Sequence, residues 1–204
     1  MNGLMNDRIA LNKRPTELDM SVQRKFVILD RDGVINHDSA LYIKSPEEWR
    51  PIAGSLEAIS ALVQAGIEVA VVSNQSAIGR GLISEEMLKS IHMKMSREVE
   101  KAGGRIAGIY YCPHHPSDAC DCRKPALGMI KRLEHEHGIL VKGMPLIGDK
   151  PTDIELAKRA GARPILVRTG YGENFFERSR SSRSSTFPEP NGSQRHEANH
   201  RVQY

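Results

Sequence analysis

The chain has 204 residues, enough for one domain with a full hydrophobic core. Hydrophobic residues make up 39% of it and charged residues 26%, which excludes a wholly disordered protein. The formal net charge is only +4, and the basic residues are scattered among acids, so we expect no nucleic-acid partner. No apolar run reaches the roughly 18 to 20 residues of a membrane span, and the N-terminus lacks the apolar core of a secretory signal. We therefore expect a cytoplasmic protein without a membrane partner.

Composition divides the chain into three regions. Residues 1–23 are polar and show no periodicity, whereas residues 24–172 alternate apolar runs with amphipathic segments. Residues 173–204 are rich in serine, arginine, asparagine and proline, with too few apolar residues to offset the entropy of ordering. The composition predicts a polar N-terminal extension, one folded domain and a disordered C-terminal tail. We expect the protein to be a monomer.

The central region alternates between predicted strands and predicted helices. Short apolar runs predict strands at 26–29, 67–73, 106–111, 144–148 and 164–168. Apolar residues at helical spacing predict helices at 53–66, 84–104, 126–137 and 151–160. This order predicts an α/β fold with a doubly wound, Rossmann-like parallel sheet. Ligands of such sheets bind at the carboxyl ends of the strands, so the chemistry should follow positions 29, 72, 111 and 148.

Two aspartates follow the first predicted strand, in the segment "DRDGVIN". Asp30 and Asp32 flank a single residue, and carboxylates this close repel each other unless a cation lies between them or one keeps a proton. The pair suits a hard-metal site with a nucleophile and a general acid or base. The alternative is an Asp-Gly turn, which is common after a strand.

Polar and charged residues follow the other predicted strands as well. The second strand is followed by "SNQS", whose hydroxyl and amide groups can contact phosphate oxygens. The fourth is followed by "GDKPTD", which places Asp149 and Asp153 at the same edge. Between these segments lies "CRKP", where Arg123 and Lys124 supply positive charge. Each fragment alone could be a cap or a turn, but all of them fall where the topology places ligands, which favours a site.

Three cysteines lie within eleven positions, in "CPHHPSDACDC". An odd, clustered count is a poor disulfide framework. Three thiolates and one imidazole form a tetrahedral zinc site, and no open ligand position is needed, so we predict a structural zinc. From the residues alone, either His114 or His115 can complete the set with Cys112, Cys120 and Cys122. The alternative is three unrelated buried cysteines.

Taken together, the segments "DRDGVIN", "VVSNQS", "RKP" and "GDKPTD" resemble the four motifs of the haloacid-dehalogenase-type (HAD) phosphohydrolases. Within that superfamily, "SNQSAIGRG" and "CPHHPSDACDCRKP" are similar to the D-glycero-D-manno-heptose 1,7-bisphosphate 7-phosphatase branch, which also contains histidinol-phosphatases. The resemblance covers about 24–172. It implies a phosphatase that uses Mg²⁺ and Zn²⁺ and removes the 7-phosphate of the heptose bisphosphate. That reaction belongs to ADP- or GDP-heptose biosynthesis and so to lipopolysaccharide.

The resemblance also implies a role for each matched residue. Asp30 would attack phosphorus to form an aspartyl-phosphate, and Asp32 would protonate the leaving sugar oxygen and then activate water. The transferring phosphoryl group would be stabilised by Ser73 and Lys124. Mg²⁺ would be held by the Asp30 carboxylate, the Asp32 main chain and Asp149, with Lys150 nearby. The residues in contact with substrate would be Asp38, Asn74, Gln75, Ser76, Arg123 and Lys124. The zinc imidazole would be that of His114.

The chain departs from the family pattern at three places, one of which is "SAIGRG" in place of the commoner "SGIARG". Ser73 stands where many relatives carry threonine, which keeps the hydroxyl, and only five residues separate His114 from Cys120, where some relatives have more. Because this loop borders the expected substrate mouth, histidinol phosphate or another small sugar phosphate is the alternative substrate. A non-catalytic, zinc-stabilised binding module is a further alternative, which the presence of both a nucleophile and a proton donor disfavours.

Overall fold

The computed structural model describes residues 24–184 and has the predicted alternating architecture. Its parallel strands are β1 (Phe26–Leu29), β2 (Glu68–Asn74), β3 (Gly108–Cys112), β4 (Pro145–Gly148) and β5 (Arg163–Leu166). Its α-helices are α1 (Ser55–Gln64), α2 (Glu85–Lys101), α3 (Gly128–His137), α4 (Pro151–Arg159) and α5 (Gly172–Ser184). The strand order is β3-β2-β1-β4-β5, so the predicted fold class is confirmed. Among the described helices, none is long and apolar enough to cross a membrane.

The central strands β1 and β2 are buried on both faces, which explains why they read as largely apolar runs. Successive side chains of a strand point to opposite faces. Phe26 and Ile28 accordingly join a core cluster with residues of α3 and α4, whereas Val27 and Leu29 join a second cluster with residues of α1 and α2. The two helical layers hold the strand ends in fixed positions.

The carboxyl edge of the sheet is where the functional segments meet. The strand order reverses between β1 and β4, and Asp30, directly after β1, donates its backbone N–H to the carbonyl of Ile147 at 2.9 Å. The loop after β5 closes on the loop after β1, because the Thr169 hydroxyl donates to the carbonyl of Gly33 at 2.6 Å. A crevice at such a reversal is the usual ligand site of a doubly wound sheet.

The C-terminal part of the domain differs from the sequence-based expectation. Helix α5 begins at Gly172, the last residue of the predicted domain, and continues through residues 173–184 of the segment predicted to be disordered. Arg168 pairs with Glu173 in the first turn of α5, and its guanidinium lies 5.0 Å from the ring centroid of Phe176. These contacts tie the helix to the loop after β5, which average composition does not reveal. The predicted N-terminal extension and the rest of the tail, 1–23 and 185–204, lie outside the described residues.

Candidate active site

Asp30 lies in a buried cluster of alternating charge. Its Oδ1 atom is 2.9 Å from Nζ of Lys124, which is also 2.6 Å from Oδ1 of Asp153 and donates to the carbonyl of Val72 at 3.0 Å. Burial raises the pKa of Asp30 to about 6, although Lys124 opposes the rise. Burial also acts to lower the pKa of Lys124, but the two aspartates outweigh it, so the lysine stays charged beside the carboxylates.

Three carboxylates at this edge form an oxygen-lined position suited to a hard cation. Oxygen atoms of Asp30, Asp149 and Asp153 lie within 4.8 Å of one another. Oδ2 of Asp149 accepts the backbone N–H of Tyr171 at 2.8 Å, whereas its buried Oδ1 has no hydrogen-bond partner in the described part of the chain. A buried carboxylate oxygen without a donor is costly unless a cation binds it. These residues therefore fit Mg²⁺, which prefers oxygen ligands.

The carboxylate of Asp32 is enclosed by hydrogen-bond donors. Arg31 donates to both of its oxygens at 2.9 to 3.0 Å, Asn36 donates to Oδ1 at 2.8 Å, and Gln75 donates to Oδ2 at 2.9 Å. Burial acts to raise the pKa of Asp32, but Arg31, Asn36 and Gln75 together outweigh it and hold that pKa below its ordinary value. The same Gln75 amide donates to the Ser73 hydroxyl at 2.8 Å, which links the second aspartate to the predicted phosphoryl-binding serine.

The two predicted substrate-binding amides, of Asn74 and Gln75, bond to the protein itself. The backbone N–H of Lys124 donates to Oδ1 of Asn74 at 2.9 Å, and Nδ2 of Asn74 donates to the carbonyl of Lys124 at 3.3 Å. The backbone N–H of Gln75 donates to the carbonyl of Cys112 at 2.8 Å. These hydrogen bonds connect the end of β2 and the loop after it to the cysteine segment and to Lys124. A substrate would have to compete for these amides.

The remaining predicted substrate residues differ in whether their polar groups already have a partner within the protein. Ser76 is buried, and Asp38 is paired with Lys150 at 2.8 Å. Burial acts to lower the pKa of Lys150, but the hydrogen bond to Asp38 and the charges of the nearby aspartates together outweigh it and raise that pKa. Arg123 is different, because its Nη1 atom is buried and has no hydrogen-bond partner among residues 24–184. Asp38 also lines a cavity of about 440 Å³ with His37, Thr169 and Tyr171, beside the carboxylate cluster.

The cysteine segment brings four possible metal ligands together. Ligand atoms of the following residues all lie within 4.8 Å of one another: Cys112, His114, Cys120 and Cys122. Sγ of Cys112 is 3.6 Å from Sγ of Cys120, and Nδ1 of His114 is 3.1 Å from Sγ of Cys122. Tetrahedral zinc with Zn–S bonds of about 2.3 Å would separate two sulfurs by roughly 3.8 Å, so the donor set fits zinc. His115 instead bonds Ser117, so the histidine in the cluster is His114.

Comparison with known proteins agrees with this geometry. A family model described as HAD-hydrolase-like matches residues 121–182. A D-glycero-beta-D-manno-heptose-1,7-bisphosphate 7-phosphatase from Pseudomonas putida is 47% identical over 154 residues, which cover 76% of this chain and 88% of that relative. The chain belongs to the heptose-1,7-bisphosphate 7-phosphatase family of HAD-like hydrolases. The resemblance drawn from the motifs is thus confirmed.

A solved structure extends the comparison to the fold. The crystal structure of D,D-heptose 1,7-bisphosphate phosphatase from Bordetella bronchiseptica, complexed with magnesium and phosphate, has a TM-score of 0.73 at 43% sequence identity. It matches 76% of this chain and 86% of that chain. As a member of this phosphatase family, the present chain is a phosphoric monoester hydrolase with the carboxylate cluster at the expected strand ends.

Arg31 and His92 are among the residues of this phosphatase's site that were not singled out from the sequence. Arg31, between the two aspartates, has a side chain only 1% exposed, and its Nη1 atom lies 3.3 Å from Nε2 of His92. Burial and, next, the charge of Arg31 lower the pKa of His92 to about 3. An arginine inside "DRD" is a signal that could have been used. His92 carries no such signal, because it is one polar residue within an amphipathic helix.

Proposed function

We propose that this phosphatase hydrolyses the 7-phosphate of D-glycero-D-manno-heptose 1,7-bisphosphate, in the route to nucleotide-activated heptose and lipopolysaccharide. The observation that carries the proposal is the buried contact between Asp30 and Lys124, beside an Asp149 oxygen that has no donor in the described chain. A nucleophile, a fixed cation and a hard-metal position are the parts that phosphoryl transfer needs. The 45–47% identity to heptose bisphosphate phosphatases supports the choice of substrate.

In the first step, a carboxylate oxygen of Asp30 attacks phosphorus while the bond from phosphorus to the sugar oxygen breaks. Against the effect of burial, Arg31, Asn36 and Gln75 lower the pKa of Asp32 in the substrate-free protein, so Asp32 takes up a proton when the negatively charged phosphate binds beside it. It then gives this proton to the leaving oxygen, so the sugar departs as an alcohol and Asp30 carries the phosphoryl group. Lys124 and the Ser73 hydroxyl hold the phosphoryl oxygens during the transfer. When bound, Mg²⁺ neutralises the repulsion between the incoming phosphate and the carboxylates. We assign its ligands to the carboxylates of Asp30 and Asp149 and the main chain of Asp32, with Lys150 nearby.

In the second step, Asp32 acts as a base. It takes a proton from a water molecule that attacks the phosphorus of the aspartyl-phosphate, and phosphate leaves as the Asp30 carboxylate is restored. The acid role of Asp32 prepares its base role, because the carboxylate that has given its proton to the sugar can then accept one from water.

The proposal divides the predicted substrate residues into two groups. Arg123, whose Nη1 donor has no partner in the described part of the chain, is the best placed to bind an anionic part of the substrate. Asp38, which lines the cavity of about 440 Å³, and the buried Ser76 are assigned as further contacts. Asn74 and Gln75 act at least in part through the protein, since their amides bond Lys124 and Asp32. The first group thus contacts the substrate, and the second holds Lys124 and Asp32 in place.

We assign structural zinc to the Cys₃His cluster. Four protein ligands leave no open position, as is usual for structural zinc. The last ligand, Cys122, directly precedes Arg123 and Lys124, so a closed site would fix the backbone that carries both cations. A cytoplasmic location, a monomeric state and the absence of nucleic-acid and membrane partners stay predictions; a reducing compartment would keep the thiolates available for the metal.

The proposal is tested by comparing phosphate release from heptose bisphosphate, histidinol phosphate and hexose phosphates by kcat/KM. We expect heptose bisphosphate to be preferred, and Asp30→Asn to lower kcat by about 1,000-fold or more because it removes the nucleophile. Circular dichroism and zinc content show whether that variant is folded. A preference for histidinol phosphate would replace the substrate, and substantial activity in folded Asp30→Asn would refute the covalent mechanism.

A further inference from the structure

Arg31 is a buried cation whose donors are all directed into the protein. Its side chain is only 1% exposed, although it stands between two residues of the catalytic loop. Nε and Nη2 form a fork on the carboxylate of Asp32, with three contacts of 2.9 to 3.0 Å. Within the described chain, Asp32 is the carboxylate with which Arg31 forms an ion pair. Arg31 is therefore built to act on Asp32 rather than on phosphate.

His92 supports the other side of the guanidinium. It comes from α2, in the layer on one face of the sheet, and places Nε2 at 3.3 Å from Nη1 of Arg31. A neutral imidazole nitrogen accepts a hydrogen bond, whereas an imidazolium would repel the arginine. The ring of Tyr111 packs edge-on against His92 at 5.6 Å between centroids, which fixes the plane of the imidazole. His92 thus fixes the direction in which Arg31 reaches Asp32.

We infer that Arg31 is a positioning residue for Asp32 and that His92 positions Arg31. The inference rests on the proposed function of Asp32 as the group that protonates the leaving sugar oxygen. A carboxylate on a single short side chain can rotate, and the planar two-point fork of an arginine restricts it to one orientation, which a lysine cannot do. The chain Tyr111, His92, Arg31, Asp32 therefore connects the β3–α2 side of the domain to the proton donor.

This role has a consequence that a merely structural role lacks. An alkoxide leaving group needs the proton of Asp32, whereas p-nitrophenolate leaves without one. Because kcat/KM covers only the steps up to formation of the aspartyl-phosphate, misplacing Asp32 should lower it for a sugar phosphate and spare it for p-nitrophenyl phosphate. Loss of general acid catalysis typically costs about 100- to 10,000-fold, and a misplaced acid should lose part of that.

The experiment compares Arg31→Lys with Asp32→Asn on both substrates. We expect Arg31→Lys to lower kcat/KM for heptose bisphosphate by about 10- to 100-fold and to change that for p-nitrophenyl phosphate by less than about threefold. We also expect a pre-steady-state burst of p-nitrophenolate, since Asp32 is needed again for hydrolysis of the intermediate. Suppose that Asp32→Asn lowers kcat/KM more for heptose bisphosphate than for p-nitrophenyl phosphate, but that Arg31→Lys lowers it equally for both. That result would overturn the inference about Arg31 and leave the proposed role of Asp32 intact. Equal losses in Asp32→Asn would overturn the proposed role of Asp32 and the inference with it.

A second pair of variants keeps the test decisive if Arg31→Lys does not fold. His92→Gln retains an acceptor near the position of Nε2, whereas His92→Phe removes it, and Met95→Leu on the same helix is a matched core control. We expect His92→Phe to show the same dependence on leaving group at about 3- to 10-fold, with His92→Gln and Met95→Leu near the wild type. If His92→Phe and His92→Gln behave alike, or if the loss is equal on both substrates, His92 does not act through Arg31.

Discussion

Asn74 forms hydrogen bonds with both backbone groups of Lys124, accepting from the N–H at 2.9 Å and donating to the carbonyl at 3.3 Å. The side chain at the end of β2 thereby fixes the residue whose ammonium reaches Asp30 and Asp153. Phosphoryl transfer depends mostly on positioning and charge, so in the proposed mechanism these two hydrogen bonds support the rate by fixing Lys124.

Replacing Asn74 shows whether this side chain mainly positions Lys124 or mainly binds the substrate. Asn74→Ala removes both hydrogen bonds and should lower kcat by about 10- to 100-fold with a smaller change in KM, because Lys124 acts mainly in the transition state. Steady-state kinetics with heptose bisphosphate gives both constants. A rise in KM with kcat unchanged would instead mean that Asn74 mainly binds the substrate.

Gly170 lies against the proposed magnesium position. Its backbone is left-handed (φ +59°), and an added Cβ would overlap Oδ2 of Asp149 and come within 2.7 Å of Cα of Gly33. Gly170→Ala should therefore displace the Asp149 carboxylate and raise the Mg²⁺ concentration for half-maximal activity by about tenfold.

Gly143 provides the matched control for that variant. It is also left-handed (φ +78°), but an added Cβ would have no heavy atom within 4 Å. Gly143→Ala should lose about 1 kcal/mol of stability from backbone strain and keep the wild-type Mg²⁺ requirement. An equal Mg²⁺ requirement in the two variants would contradict the assignment of Asp149 as a ligand.

Zinc content tests the cysteine cluster directly. Purified protein should contain about one zinc per chain, and Cys120→Ser should lower that content and the activity together, because the loop carrying Arg123 and Lys124 loses its anchor. The neighbouring Asp121→Asn should retain zinc and activity. A mild chelator should stop turnover reversibly by removing Mg²⁺ before zinc is lost. Elemental analysis that finds no zinc in active protein would refute the assignment.

The buried His92 predicts a pH dependence of stability. It faces Arg31, with Asp32 beyond and Tyr111 against its ring, and its folded pKa of about 3 lies below the unfolded value of about 6.5. The unfolded chain therefore binds a proton as the pH falls through about 6.5 while the folded chain does not. The free energy of unfolding should fall by about 1.4 kcal/mol from this group between about pH 7.5 and 5.5.

Denaturant unfolding of the wild type and His92→Gln measures that effect. The glutamine keeps the hydrogen-bond acceptor and does not titrate. Between about pH 7.5 and 5.5, the free energy of unfolding of His92→Gln should therefore fall by about 1.4 kcal/mol less than that of the wild type. Identical slopes for the two proteins would mean that His92 is protonated in the folded state.

The strands and helices of the core could be predicted because their apolar residues recur at the periods of the elements they form. The predicted strand ends then located Asp30, Asp32 and Asp149. Hydrogen bonds between distant segments could not be predicted, since nothing in "SNQS" shows that Asn74 would bond Lys124 rather than substrate. Helix α5 was missed for a related reason. Two of its residues, Glu173 and Phe176, contact Arg168, which lies outside the polar segment whose composition carried the prediction.

Asp30 and Asp149 follow neighbouring strands that the ribosome synthesises far apart in time. Strands β1, β2 and β3 can pair as soon as they emerge, but one edge of the apolar strand β1 stays open until β4 is made. A nascent chain that ends before β4 therefore exposes an unpaired central strand, which invites association with other chains. It also lacks two of the three carboxylates of the cluster, Asp149 and Asp153. Premature termination should thus yield a product that aggregates and has no residual activity, rather than a weaker enzyme.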